Sequence, residues 1–326
     1  MARERLRVTL SGATGETGAE IANAILDLSD TFHLTALARP ASANKPEYEN
    51  FKKRGASIIV ADLGTVNDHL VSILKGCDIV VCAITLEGLD PRPMNNLATA
   101  AQHAGVKRFI PSLFGPVCPP RGVALIRDLK EDMIDHIKNL NLPYTLVDVG
   151  WWYQMSLPAV PSGRLDHLLV FPITTITGSG NVECAMTDKR DIGRYVARII
   201  ADPQTLNRSV FLYNEIWTQN KLFDLVERLS GETIPRQHET QEDLKLKIDS
   251  AKKRWNDGDE TALAPFVMMA YYYTLWIRGD NTPAKARGLG YLIANDMYPD
   301  IKSTSLEDYV NGLLDGDIGR IYVGRR

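Results

Sequence analysis

Residues 6–18 read Leu6-Arg7-Val8-Thr9-Leu10-Ser11-Gly12-Ala13-Thr14-Gly15-Glu16-Thr17-Gly18. Leu6 to Leu10 has the short, apolar and β-branched character of a buried strand. Glu16 to Leu28 has the apolar spacing of an amphipathic helix. Between them lies a GxxGxxG loop, and each glycine has a physical task. Gly12 is suited to the tight turn. Gly15 has no Cβ to hold a pyrophosphate away from the backbone, and Gly18 lets the helix pack close to the strand. The helix start then offers free N–H groups and a partial positive charge to phosphate oxygens, with the Thr14 and Thr17 hydroxyls beside them. A glycine triplet alone is a weak signal, and its alternative is a tight turn without a ligand. The strand–loop–helix context makes it a dinucleotide-phosphate site.

The same rhythm continues outward. Strand-like runs at His33–Ala38, Ser57–Ala61, Asp78–Ala83, Lys107–Pro111 and Pro143–Val147 alternate with helical patterns at 47–54, 67–75, 93–104 and 123–140. Such alternation predicts βαβ units and an α/β fold, a Rossmann-type doubly wound parallel sheet. Ile79-Val80-Val81-Cys82 is apolar throughout, as expected of a strand covered on both faces. After Gly150 the rhythm breaks, and Pro158, Pro161 and Pro172 punctuate a loop-rich stretch. Further helices are expected at 191–201, at 221–230 with Gly231 as the stop, and at 241–255, with a strand at 209–213. The expected organisation is a dinucleotide-binding Rossmann domain over 1–155. Residues 156–326 would form a smaller, mainly substrate-binding lobe, with some elements returning to the sheet.

The second strand ends at Ala38-Arg39-Pro40, where an NAD-binding Rossmann chain carries Asp or Glu for the ribose hydroxyls. An arginine there is suited to a 2′-phosphate, so Arg39 points to NADPH/NADP+, with Lys45 close by. Both also read as solvated surface charges. Asp62 follows the third strand, either facing the adenosine or serving as a turn residue. Ala83, at the end of the fourth strand, is expected along the cofactor path.

The chain has 326 residues, 44% hydrophobic and 24% charged, with a formal charge of −3. That balance lacks the basic footprint of a nucleic-acid binder. Cys77, Cys82, Cys118 and Cys184 form no pair or cluster with metal-ligand spacing, so no metal is expected and the thiols read as reduced. The first residues lead directly into the strand without a signal-type apolar segment, and Ala264–Ile277 is too short to span a bilayer. A cytoplasmic protein is expected. That apolar stretch reads as a buried helix or as a contact within a homodimer.

In the helical pattern after Gly122, Ile126, Leu129, Met133, Ile137 and Leu140 share one face. Lys130 falls inside this stripe, whereas Asp128, Glu131, Asp132, Asp135 and Lys138 fall outside it. A lysine on the packed side either snorkels along apolar surface or points into a cleft, where desolvation lowers its pKa toward acid–base use. Ser112 ends the fifth strand at the carboxyl edge where ligands bind in such sheets; it reads as a hydroxyl donor or a plain turn residue. Trp151, Trp152 and Tyr153 follow the sixth strand at the same edge. They read as core or, with Phe114, as an apolar wall for an aromatic substrate.

With these pieces the chain resembles the NmrA-like, isoflavone-reductase-like branch of the atypical short-chain dehydrogenases. The resemblance rests on the Gly12/Gly15/Gly18 loop, Arg39, Asp62-Leu63, the Lys107–Gly115 run, Leu142-Pro143-Tyr144-Thr145, Trp151-Trp152-Tyr153 and Asp191-Ile192-Gly193. It covers the first two thirds and fades across 235–282. It implies an NADPH-dependent oxidoreductase that reduces a carbonyl or conjugated double bond of a small aromatic or polyketide-like metabolite. Counting back from Leu142, Lys130 matches the lysine of the family's reductases, which holds the nicotinamide ribose or moves a proton beside the hydride. No Tyr-x-x-x-Lys pair accompanies it, because Ile126 stands four residues before. Plant members carry a glutamate between the serine and the phenylalanine, where this chain has Leu113. Two other readings stay open: a dinucleotide-sensing regulator without turnover, and a non-redox isomerase or cyclase that retains the cofactor.

Overall fold

The computed structural model describes residues 4–86 and 89–322. Its first half contains β1 (Leu6–Ser11), α1 (Glu16–Asp27), β2 (Phe32–Ala38), α2 (Pro46–Lys53), β3 (Ser57–Val60), α3 (Asp68–Leu74), β4 (Ile79–Cys82), α4 (Arg92–His103), β5 (Arg108–Ile110), α5 (Leu125–Asn139) and β6 (Thr145–Asp148). Five strands form a parallel sheet in the order β3-β2-β1-β4-β5. A parallel bridge between Phe109 and Tyr144 carries the sheet on to β6. The direction of winding reverses between β1 and β4. In a doubly wound sheet that reversal opens a crevice at the strands' carboxyl ends.

The second half adds β7 (Trp151–Trp152), β8 (Thr175–Thr177), β9 (Cys184–Thr187), α6 (Lys189–Ala201), β10 (Arg208–Phe211), β11 (Glu215–Trp217), α7 (Gln219–Ser230), β12 (Gln237–Glu239), α8 (Gln241–Asn256), α9 (Leu263–Tyr272), α10 (Pro283–Gly288), β13 (Leu292–Ile293), α11 (Ala294–Met297) and α12 (Leu306–Leu314). β10 lies parallel to β6, and β13 parallel to β10, so the main sheet continues with strands that come late in the chain. β9 sits between β7 and β11 in a separate small sheet. Gly231 stops α7 in the left-handed conformation at φ +73°. The apolar stretch after residue 263 forms α9 and a π-helical turn, Tyr273–Ile277, with Leu275 and Trp276 buried.

The alternation of side chains along a strand sorts the core into two layers. Ile79 and Val81 join Ile21 and Ile25 of α1 and Val196 and Ile199 of α6 on one face. Val80 and Cys82 join Leu70 of α3, Leu97 of α4 and Ile137 of α5 on the other. Helices therefore cover both faces, which is why β4 is apolar throughout. A Cβ on Gly193 would overlap the Glu20 carbonyl, so this glycine sets how closely α6 approaches α1. A third apolar cluster, with Trp151, Tyr153, Met186, Phe223, Trp276 and Tyr309, lies in the second half.

Helix α5 departs from the predicted stripe. Its buried residues are Arg127, Met133, Ile134 and Ile137, while Ile126, Leu129 and Leu140 are only half-buried. Arg127 is 5% exposed, and each of its three guanidinium nitrogens has a partner. It donates to Asp148 at 2.9 Å, to Glu131 at 2.6 Å and to the Tyr291 hydroxyl at 3.1 Å. Glu131, assigned to the solvated face by its spacing, is drawn inward by this pairing. A wheel built on hydropathy has no means of registering a buried charge whose partners lie on other elements.

Candidate active site: a cleft from the glycine loop to Lys130

A cleft of about 640 Å³ runs along the carboxyl edge of the main sheet. Its floor is the glycine loop. Gly12 takes φ +83°, a conformation that L side chains rarely adopt, and a Cβ there would overlap the Ala83 carbonyl. Gly15 begins α1, which has no side-chain cap at its start. The loop therefore leaves backbone N–H groups available for an anion. Thr14, Gly15 and Thr17 line the cleft. Gly18 does not; it faces inward, where a Cβ would overlap the Gly12 carbonyl. The loop has the steric and electrostatic features of a pyrophosphate cradle.

Arg39, Lys45 and Asp62 line the end of the cleft beyond β2 and β3. Asp62 accepts the Gly64 N–H at 2.9 Å, so the same side chain shapes the turn and faces the cleft. The sequence reading missed Tyr48 and Ser42, which also line this end. Tyr48 is buried on α2, and its hydroxyl donates to the Leu37 carbonyl at 3.4 Å with Thr14 and Ser42 close by. Thus α2 is tied to the end of β2, beside the glycine loop. In retrospect, an aromatic two residues after Pro46 on a helix otherwise rich in charge was the available signal.

At the other end lie Ala83, Ser112, Phe114, Ile126, Lys130 and Trp152. Lys130 projects from α5, and its ammonium donates to the Leu113 carbonyl. Burial pulls its pKa down to about 8; nearby Asp148 opposes that shift and Arg127 adds to it. Gly115 lies beside Nζ, and a Cβ at that position would sit 3.5 Å from it, an ordinary contact distance. The Leu113 side chain is in the core, 1% exposed, so this residue serves Lys130 through its backbone. An amine with a pKa of about 8 is mostly ammonium at neutral pH and close to half-protonated only at mildly basic pH, so a lysine held at the end of this cleft is suited to giving or taking one proton.

Of the proposed aromatic wall, Phe114 and Trp152 line the cleft, whereas Trp151 and Tyr153 do not. Trp151 is 2% exposed and packs on Tyr271, with ring centroids 5.7 Å apart. Tyr153 is fully buried and donates to Glu215 at 3.0 Å. Successive residues of extended chain face opposite ways, so Trp152 turns to the cleft and its neighbours turn to the second core.

Two further groups were not anticipated. Glu16, at the start of α1, pairs with Lys189 at 2.8 Å and accepts the Tyr322 N–H at 2.8 Å. Tyr322 itself lines the cleft, more than 300 residues from the glycine loop in sequence. Among the described residues no group of three or more His, Cys, Asp or Glu is placed to hold a metal. None of the described helices is long and apolar enough to cross a membrane.

Comparison with known proteins gives the same picture. A model of the NmrA-like family matches residues 4–262. The chain is 42% identical to asnovolin J 5′,6′-dehydrogenase nvfM of Aspergillus novofumigatus, over 96% of this chain and 97% of that protein. It is 30% identical to pinoresinol reductase 1 of Arabidopsis thaliana, over 95% and 98% of the two chains. Among solved structures, AtPrR2 with NADP+ and (+)pinoresinol superposes with a TM-score of 0.76 at 25% identity, covering 95% of this chain and 99% of that one. Rossmann sheet, glycine loop and extended sequence likeness converge, and the chain belongs to the NmrA-like family.

Proposed function

We propose that the chain is an NADPH-dependent reductase of a small, largely apolar aromatic or polyketide-like metabolite, with Lys130 moving the proton. The observation that carries this reading is the position of Lys130. A lysine whose pKa is drawn to about 8 lines the same cleft as the phosphate-binding loop. Gly12, Thr14, Gly15 and Thr17 would hold the pyrophosphate at α1. Arg39 and Lys45 would receive the 2′-phosphate, Asp62 the adenosine, and Ala83 and Ser112 would line the path between. NADPH, when bound, supplies the hydride to a carbonyl or conjugated double bond. Lys130, as ammonium, supplies the balancing proton directly or through one water, and the Leu113 carbonyl fixes its direction. Phe114 and Trp152 would form an apolar surface for the substrate and exclude water.

A second reading is favoured by the name of the 42%-identical relative, a dehydrogenase. The same residues then run the reaction in the oxidising direction, with neutral Lys130 accepting the proton. The test is cofactor turnover with aromatic enones, ketones and the corresponding saturated compounds, offering NADPH or NADP+. Consumption of NADPH that is lost in Lys130→Met supports the first reading, and formation of NADPH lost in the same variant supports the second. Tight binding of both cofactor forms without turnover on a broad panel moves weight to a dinucleotide sensor. Unaltered turnover in Lys130→Met removes the role given to that residue.

A further inference from the structure

The last described residues of the chain end at the glycine loop. Beyond α12 the chain passes back over the Rossmann half, and Ile321 is buried at 4% exposure in the core layer that also holds Phe114 and Trp152. Tyr322 follows with φ +59°, an uncommon conformation for a bulky residue. Its N–H is given to Glu16, whose other oxygen is held by Lys189 of α6. Lys189 also pairs with Glu20 at 3.2 Å, and its pKa is raised by both carboxylates despite burial, so it is charged.

This arrangement addresses an electrostatic difficulty. A carboxylate in the first turn of a helix is favourable there, but at a phosphate-binding turn it competes with the ligand for the same positive end. Here Lys189 and the Tyr322 N–H take up both Glu16 oxygens. The carboxylate is thereby hydrogen-bonded at both oxygens and turned aside, and the same contacts fasten the tail next to the loop. The backbone strain at Tyr322 sits between an anchored residue and this clasp, and strained backbone of this kind persists where surrounding contacts enforce it.

We infer that the C-terminal segment is a fixed wall of the cofactor cleft, with Ile321 as its anchor and Tyr322 as a residue that retains the nicotinamide-bearing half of the dinucleotide. This deepens the proposed NADPH reading and rests on it. Arg39 and Lys45 mark one end of the cleft; Tyr322 is clasped to Glu16, which is held in turn by Lys189, whose own N–H is given to Gln154 just after Trp152 at the other end. Its effect is therefore confined to the part of NADPH beyond the adenosine bisphosphate.

The test compares NADPH with 2′,5′-ADP, which lacks the nicotinamide half, by titration of the full chain, of Tyr322→Ala, and of a variant ending at Gly319. The inference predicts that NADPH affinity falls about tenfold or more in the truncated chain and about threefold or more in Tyr322→Ala. Affinity for 2′,5′-ADP stays within twofold in both. Unchanged NADPH affinity in both variants would overturn the inference. An equal loss for both ligands would also overturn it, because the tail would then support the fold at large. Failure of the unaltered chain to bind NADPH contradicts the cofactor assignment itself, a result separable from either outcome for the tail.

Discussion

The glycine loop and the Trp151–Tyr153 segment both follow strands of the main sheet, yet they use their residues in opposite ways. In the loop, the proposed function resides in the backbone: the side chains are small or absent, and the helix start presents its own N–H groups. In the aromatic segment, the proposed function depends on where each side chain turns. One ring, Trp152, reaches the cleft, while Trp151 and Tyr153 are packed into the second core. A site made by backbone is fixed by local geometry and tolerates little change. A site made by side chains depends on register and on partners far away in sequence.

Lys130 offers the sharpest way to test that contrast, because it is the one side chain on which the proposed chemistry depends. Lys130→Met is expected to lower turnover by about 10²–10⁴-fold, the usual worth of a positioned proton-transfer group. NADPH affinity should change far less, which separate binding and turnover measurements check. The pH profile sharpens this further. With a pKa near 8, Lys130 loses its proton as pH rises through that value. A reduction that needs the ammonium should slow above it, and a dehydrogenation that needs the free amine should speed up. A profile that is flat between pH 7 and 9 in both directions contradicts the role of Lys130 in a chemically limited step.

Arg39→Ser comes next in expected size. Removal of a charge-assisted contact to the 2′-phosphate should cost about 1.5–3 kcal/mol of NADPH binding and leave NADH nearly unaffected. Competitive titration of the two cofactors reads this directly; an equal loss for both would mean that Arg39 supports the loop instead of reading the phosphate. On the backbone side, Gly18→Ala places a Cβ into the Gly12 carbonyl. It should destabilise the fold by about 1–3 kcal/mol through overpacking and weaken NADPH binding together with it. Denaturant unfolding with and without cofactor checks both effects.

The smallest effects separate the two adjacent tryptophans. Trp151 Nε1 is buried without a hydrogen-bond partner among the described residues. Trp151→Phe therefore removes an unpaired donor along with some packing, and substrate KM should be unchanged. Trp152→Ala should raise substrate KM with a smaller change in NADPH affinity. If the KM effects are reversed, the division of the segment between cleft and core is wrong.

What the sequence made legible follows the same line. The β1 strand, its glycine loop and α1 are local, and Gly12 and Gly18 are each explained by an overlap or a dihedral angle. Arg39 was found because its position after β2 is fixed by the fold. Lys130 stood out as a charge within an apolar stripe. Arg127, one turn earlier on the same helix, did not, because its burial depends on Asp148 and Tyr291, which arrive from β6 and from the residue before β13. Tyr322 carried no local signal, since its place beside Glu16 is set by the whole path of the chain. Trp151 and Trp152 are alike in type, and only the register of β7 against β9 distinguishes them.

The central claim is that the cleft holds a 2′-phosphorylated dinucleotide on the glycine loop. The measurement that tests it most directly is a fluorescence titration of the purified chain with NADPH and with NADH under identical salt and pH. The structure predicts NADPH binding tighter than NADH by about tenfold or more. No binding of either cofactor, or tighter binding of NADH, would contradict it.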